Sequence, residues 1–482
     1  MDASLLNSLW AINTELLLLI SALLLLLYGA VRGEDACETI LYSTMLVFAI
    51  CLVGVFTTEP VSGLHYFDGL VRVDVFTQYS KGLVFLGAIL TSVLSLDWLK
   101  RPATRRFEYP ILMMLSVVGM CFMVSAQNFM TLYMGVELAS LSLYVMAAFD
   151  RDNKRSSEAG LKYFVLGALG SCMLLFGISL VYGFAGSVDF VALGDLLETQ
   201  ERFSPGLVIG LVFVLVAICF KISAVPFHMW TPDVYQGAPT PVTAFFAVVP
   251  KIAAIAMLLR LLHHPFEALI IEWQQIIIFV SIASMLVGAL GAMMQTNIKR
   301  LLAYSSIGHV GYLLVAVAAG SESGAQAMFV YFILYIFMSV GMFAFVLLMK
   351  RKGKQIEDIS ELAGLSKTCP MAALFVSIMM FSMAGIPPLA GFFGKMMIFL
   401  AAIESGLFVL AVIGVLTSVI GAFYYIKIVK IMYFDEEQPA FDSEVSIAMR
   451  AVLIVCAVVT CFFFLLPTPV MEVALRASLA LH

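Results

Sequence analysis

Long apolar runs alternate with short polar breaks along the whole chain. A helix of about 20 apolar residues crosses the roughly 30 Å hydrocarbon core of a bilayer. On that ruler the sequence predicts fourteen spans, at 10–30, 38–57, 75–98, 110–126, 128–149, 160–184, 207–230, 240–262, 274–294, 299–319, 325–349, 371–403, 406–433 and 446–466. Membrane β-strands are about ten residues long and alternate in polarity. The expected fold is therefore an all-α polytopic membrane protein of fourteen helices, with little chain left for a soluble domain.

The polar breaks are not equivalent. Lys100, Arg101, Arg105 and Arg106 follow the third run, and Arg151, Lys154 and Arg155 follow the fifth. Lys299 and Arg300 follow the ninth, and Lys350, Arg351, Lys352 and Lys354 the eleventh. Every one of these clusters comes after an odd-numbered run. Basic loops stay on the cytoplasmic side, so the odd-numbered ends face the cytoplasm and both termini face the other side.

Two runs are interrupted. The seventh contains Lys221-Ile-Ser-Ala-Val-Pro226-Phe-His228, and the twelfth Gly385-Ile-Pro387-Pro388-Leu-Ala-Gly391-Phe-Phe-Gly394-Lys395. Proline removes a backbone donor and clashes with the preceding turn, so both helices should break there. The breaks lie five runs apart, an odd number, so equivalent helices point in opposite directions. This predicts two inverted five-helix repeats with sites near the midplane. The expected division is an N-terminal three-helix segment (1–108), a first repeat (109–263), a second repeat (264–434) and a C-terminal helix (435–482).

Composition agrees with the pattern. Of 482 residues, 62% are hydrophobic and 12% charged, against about 45–50% apolar and 25% charged in a soluble domain. The net charge of −5 is spread over many loops and points to no nucleic-acid partner. Eight cysteines, at 37, 51, 121, 172, 219, 369, 456 and 461, form no CxxC pair and read as packing residues. HExxH, P-loop and GxGxxG fingerprints are lacking. No metal, flavin or nucleotide site is therefore expected in this chain. The amino terminus has no basic n-region or small-residue cleavage site, so the first run is expected to be retained.

Ionisable residues inside the runs carry the candidate chemistry. Glu137 in the fifth, Lys221 in the seventh, Lys251 in the eighth and Lys395 in the twelfth lie deep in apolar sequence. Each costs roughly 2.5–3.5 kcal/mol at the bilayer centre, on the order of 10–14 kcal/mol for the four. Such a load marks ion or proton pathways. Desolvation disfavours an ammonium and a nearby carboxylate favours it. Moving Glu137 relative to Lys221 would then load and unload a proton. The plain alternative is a static ion pair, which is seldom net stabilising when buried. Lys162, one turn or so into the sixth run, can snorkel to the surface or join the set. His309, mid-run, can relay protons, and His228 follows the first break by two residues. Tyr424 and Tyr425 read as packing and belt residues.

Three segments carry a family resemblance: Lys221–Thr243 (KISAVPFHMWTPDVYQGAPTPVT), Gln295–Tyr312 (QTNIKRLLAYSSIGHVGY) and Ala384–Lys395 (AGIPPLAGFFGK). The chain resembles the proton-translocating antiporter-like subunits of NADH:quinone oxidoreductase (respiratory complex I). The likeness is strongest to the N type, subunit 2 of the mitochondrial enzyme. Lys395 stands where the M type has a glutamate, and the long lateral helix of the L type is missing. The resemblance implies fourteen helices in two inverted repeats, each with one broken helix. It implies proton translocation through Glu137, Lys221, Lys251 and Lys395, with Lys162, His228 and His309 in lesser roles.

It also implies that this chain is a translocase subunit with no redox site of its own. NAD, FMN, iron–sulfur clusters and quinone would sit in partner subunits. The partners would be the other membrane and peripheral subunits, sibling antiporter-like subunits and the lipid bilayer. A bacterial inner membrane is expected over an organellar one. The alternative function is a subunit of a multi-subunit sodium/proton antiporter, which shares the same motifs.

Overall fold

The computed structural model describes residues 8–57, 65–102, 104–200, 202–442 and 445–481. Among them, twelve helical stretches are long and apolar enough to cross a membrane. The first, Asn13–Thr57, holds two helices, Asn13–Arg32 and Cys37–Thr57. The twelfth apolar run folds as two half-helices, Pro370–Ala384 and Ala390–Glu404. With those two helices separated and the half-helices joined, the fourteen expected spans are present. Two two-stranded ribbons are the only sheets among the described residues.

Short polar residues set where many of the spans begin. Asp74, Asn128, Asn153, Asn297 and Ser321 each adopt an extended backbone and accept an N–H from the first turn with their side chains. A capping acceptor satisfies donors that the helix leaves open, which matters most where water is scarce. Several spans are apolar on all sides. Glu322–Leu348 and Ile298–Ala318 are buried almost throughout. Asn13–Thr57, Phe408–Phe434 and Ile447–Leu465 instead expose large side chains such as Leu24, Leu27, Val419 and Ile454. Continuous exposed apolar surface of this kind suits lipid.

The chain forms two compact units. One comprises residues 1–222, 249–275 and 476–482, and the other 223–248 and 276–475. In the first, Phe129–Ala147 packs along Glu108–Ser125, and Lys154–Ala185 along Pro205–Ile222. In the second, Pro370–Ala384 packs on Phe408–Phe434, while Ala390–Glu404 packs on Glu322–Leu348. The chain passes from one unit to the other at the first break. The helix Pro205–Ile222 ends there, and a short helix, Thr231–Gly237, precedes the eighth span, Thr240–His263. These units follow packing, whereas the repeat boundaries expected from the sequence concern symmetry.

The breaks have local causes. At the first, Ser223 takes a left-handed backbone (φ 65) and the Val225 N–H leaves the helix to donate to Ser284 Oγ, 2.9 Å. At the second, Gly385 caps the half-helix with φ 89, and its N–H donates to the carbonyls of Phe381 and Ser382. A positive φ favours glycine. An added Cβ there would also come 3.1 Å from Lys395 Cδ, so the lysine stem needs the same absence of side chain.

Candidate functional site

In the first unit, Glu137, Ser140 and Tyr144 follow one another on one face of the fifth span, at i, i+3 and i+7. Lys221, in the last turn of Pro205–Ile222, reaches this face. Its Nζ donates to Ser140 Oγ at 2.8 Å, Tyr144 Oη at 3.2 Å and Ser171 Oγ at 3.3 Å. The Tyr144 ring lies below the ammonium, 5.7 Å to its centroid. Gly167 makes room for that ring, since an added Cβ would overlap the Tyr144 hydroxyl. Glu137 does not contact Lys221. It is close enough for its charge to act on the lysine, yet its Oε1 is buried with no hydrogen-bond partner. The ammonium therefore rests on three neutral hydroxyls, with a carboxylate held near but apart.

Lys251 is buried in the middle of the eighth span, directly after Pro250. Nine residues on, Arg260 holds Asp74 through its Nη2, at 2.7 and 2.8 Å from the two carboxylate oxygens. Arg72 adds a second ion pair at 2.8 Å, and the guanidinium of Arg260 lies 4.4 Å over the Phe76 ring. Burial pushes the Asp74 carboxyl up, but Arg260, Arg72 and the N–H and hydroxyl of Thr77 outweigh it. They hold the carboxyl below the usual carboxylate range. This group ties the helix that carries Lys251 to the start of the third span.

The second unit holds a different arrangement. Lys395, in the half-helix after the break, turns back on the half-helix before it. Its Nζ donates to the carbonyls of Met383 (2.9 Å) and Ala384 (3.1 Å) and to Ser418 Oγ (2.9 Å). Those carbonyls are the open acceptors at the negative end of Pro370–Ala384. The ammonium also sits 4.7 Å over the Tyr312 ring. Lys395, Tyr312, His309, Tyr424 and Tyr425 line one small cavity. His309 Nδ1 is 2.6 Å from Tyr331 Oη, and its Nε2 is 3.3 Å from Tyr425 Oη, which in turn meets Ser305 Oγ. Imidazole and hydroxyl groups in series can pass protons.

Two sequence candidates stand outside these clusters. Lys162 is 40% exposed and pairs with Glu158 one turn earlier, at 2.7 Å. His228 is partly buried in the irregular stretch after the first break, and its Nδ1 has no hydrogen-bond partner. The hydroxyls that seat Lys221 and Lys395 went unread in the sequence. Ser140 and Tyr144 had a signal, because they repeat on the Glu137 face. Ser171, Ser418 and Tyr331 had none, since distant chain brings them in. Tyr425 is more than a belt residue: its hydroxyl bonds to the histidine.

Buried cations on broken helices, inside a bundle that exposes apolar surface, define a multi-pass membrane protein built to move ions or protons. Residues 126–421 match the family described as NADH:quinone oxidoreductase/Mrp antiporter, transmembrane, and the chain belongs to that family. Over 471 residues it is 51% identical to NADH-quinone oxidoreductase subunit N of Rhodospirillum rubrum, covering 97% of this chain and 96% of that protein. It also superposes on a chain of respiratory complex I from Thermus thermophilus, with a TM-score of 0.79 and 32% identity. That match covers 95% of this chain and 98% of the other. A chain of the Mrp complex from Dietzia sp. shares the fold, with a TM-score of 0.83 at 21% identity, covering 98% and 97% of the two chains.

Proposed function

We infer that this chain is the N-type membrane-arm subunit of a bacterial NADH:quinone oxidoreductase and translocates protons across the inner membrane. Electron transfer from NADH to quinone drives it from other subunits. NAD, FMN, iron–sulfur clusters and quinone belong to those partners in this reading. The sodium/proton antiporter alternative rests on the shared family and on a solved neighbour at 21% identity, against 51% identity to a subunit N.

The proposed proton carriers are Lys221 and Lys395, with Lys251 between them in sequence and His309 as relay. One observation carries this assignment: the ammonium groups of Lys221 and Lys395 are held by hydroxyls and carbonyls, with no carboxylate in contact among the described residues. A lysine on neutral oxygens can lose its proton and leave an amine that still fits the same site. Glu137, near Lys221 but unbonded, is the group whose approach would favour the charged form. Spans four to eight and nine to thirteen would form the two inverted transport units, one around Lys221 and the other around Lys395. In this scheme Lys162 and His228 lie toward the ends of the path.

The test replaces Lys221 or Glu137 by Ala and measures protons moved per electron in the assembled complex. Both variants should assemble and pump fewer protons. An unchanged ratio in both would remove Lys221 and Glu137 from the path.

A further inference from the structure

The N-terminal three-helix segment contains a buried acid–base pair that the Lys221 and Lys395 clusters do not include. Lys81 Nζ lies 2.5 Å from Glu15 Oε1, and the two side chains are 4% and 1% exposed. They join the first span, Asn13–Arg32, to the third, Val75–Leu99. Glu15 Oε2 accepts only the hydroxyl of its neighbour Thr14, at 2.8 Å. Among the described residues this is the one ion contact of the ammonium, and Glu15 Oε1 has no aligned hydrogen bond.

A structural lysine in this protein looks different. Lys299 donates to two carbonyls, Gln236 O and Ala238 O, and meets Glu357. A static pin gains from satisfying all its donors, and an undersatisfied buried pair is poor glue.

The pair also has a way out. Asp74, Thr77, Gln78 and Lys81 fall at i, i+3, i+4 and i+7 on one face of the third span. Thr77, Gln78 and Lys81 are buried, while Asp74, at the helix mouth, keeps 12% of its side chain exposed. Lys81 is thus about 10 Å in from that mouth at 1.5 Å per residue. The loop charges place the mouth on the non-cytoplasmic side. Two thiols border the pair, Cys51, whose Sγ donates to Thr14 O, and Cys121.

We propose that Glu15 and Lys81 form an additional proton-carrying site, exchanging with the non-cytoplasmic side along the Asp74–Lys81 face. Transfer within the pair turns ammonium and carboxylate into amine and carboxylic acid, with no change in net charge. Release of one proton outward leaves amine and carboxylate, and reloading restores the ion pair. This inference rests on the reading of the chain as a proton translocator.

The test uses the assembled complex with both groups made apolar together, Glu15→Leu with Lys81→Met, so that no unpaired charge is left buried. Protons per electron should fall while NADH oxidation persists. An unchanged ratio here, with a lowered ratio in Lys221→Ala, overturns this inference alone. An unchanged ratio in both overturns the translocator reading beneath it. If the double variant does not assemble, the unaltered complex is treated with a hydrophobic carbodiimide, which attacks protonated carboxyls. Modification of Glu15 supports the site. Modification of Glu137 with none at Glu15 overturns it.

Discussion

Removing a single hydroxyl beside Lys221 gives a graded test of the seat. Ser140 Oγ is 2.8 Å from the ammonium, Tyr144 Oη 3.2 Å and Ser171 Oγ 3.3 Å. Hydrogen bonds to charged groups contribute about 1.5–3 kcal/mol each. Losing one therefore lowers the ammonium form relative to the amine by roughly ten- to a hundredfold, at 1.36 kcal/mol per tenfold. Ser140→Ala removes the shortest contact and should act most. Tyr144→Phe keeps the ring and its place over the lysine, so it should act less, and Ser171→Ala is expected to resemble it.

The assay is purified complex in sealed vesicles, with NADH oxidation and proton uptake read together. Each variant should assemble normally and slow coupled turnover in the order Ser140→Ala, then Tyr144→Phe and Ser171→Ala. Coupled rates equal to wild type in all three, with Lys221→Ala still defective, would show that the hydroxyls do not set the lysine's proton affinity. A reversed order would show that distance is the wrong measure of their contribution.

Two further perturbations test other parts of the structure. Gly385→Ala forces a side chain into a left-handed backbone, about 1–2 kcal/mol, and crowds the Lys395 stem at 3.1 Å. It should lower protons per electron as Lys395→Met should, and a normal ratio would show that the turn does not position the lysine. Arg260→Gln takes away the main partner of Asp74 and should destabilise the protein by about 3–5 kcal/mol, read as a lower thermal midpoint of the complex, with Asp74→Asn in the same chain restoring part of it. The Asp74 carboxyl is held low in the folded state, so this tie is complete above the unfolded value of about 4 and is lost only as pH falls below it. An Arg260→Gln complex as stable as wild type at neutral pH would contradict the clamp.

The spans were legible because lipid imposes one requirement, that about twenty residues in a row be apolar. The breaks were legible because proline and glycine act locally. Glu137, Lys251 and Lys395 stood out by cost alone, each a charge in apolar sequence. Glu15 escaped because it lies near the start of its run, where an acidic residue ordinarily reaches water. Only the contact between the two side chains, 1% and 4% exposed, shows that it is sealed in with Lys81. Lys162 is the reverse case, since its depth in the run counts for little on a face that stays 40% exposed, next to Glu158.

The second broken span also explains why a break and a lysine occur together. An unbroken helix spends its carbonyls on itself and offers nothing to a buried cation. Ending the helix at Ala384 frees the carbonyls of Met383 and Ala384, and Lys395 takes both. The break thus seats a buried ammonium on backbone dipoles in place of a carboxylate. At the first break the same logic is not repeated. Lys221 precedes the interruption and takes hydroxyls from neighbouring helices, while a carboxylate waits at a distance. One lysine is therefore set by fixed backbone and the other by side chains that can move. Control by the rest of the complex should act on Lys221 through Glu137, and reach Lys395 only through the hydroxyls and imidazole around its cavity.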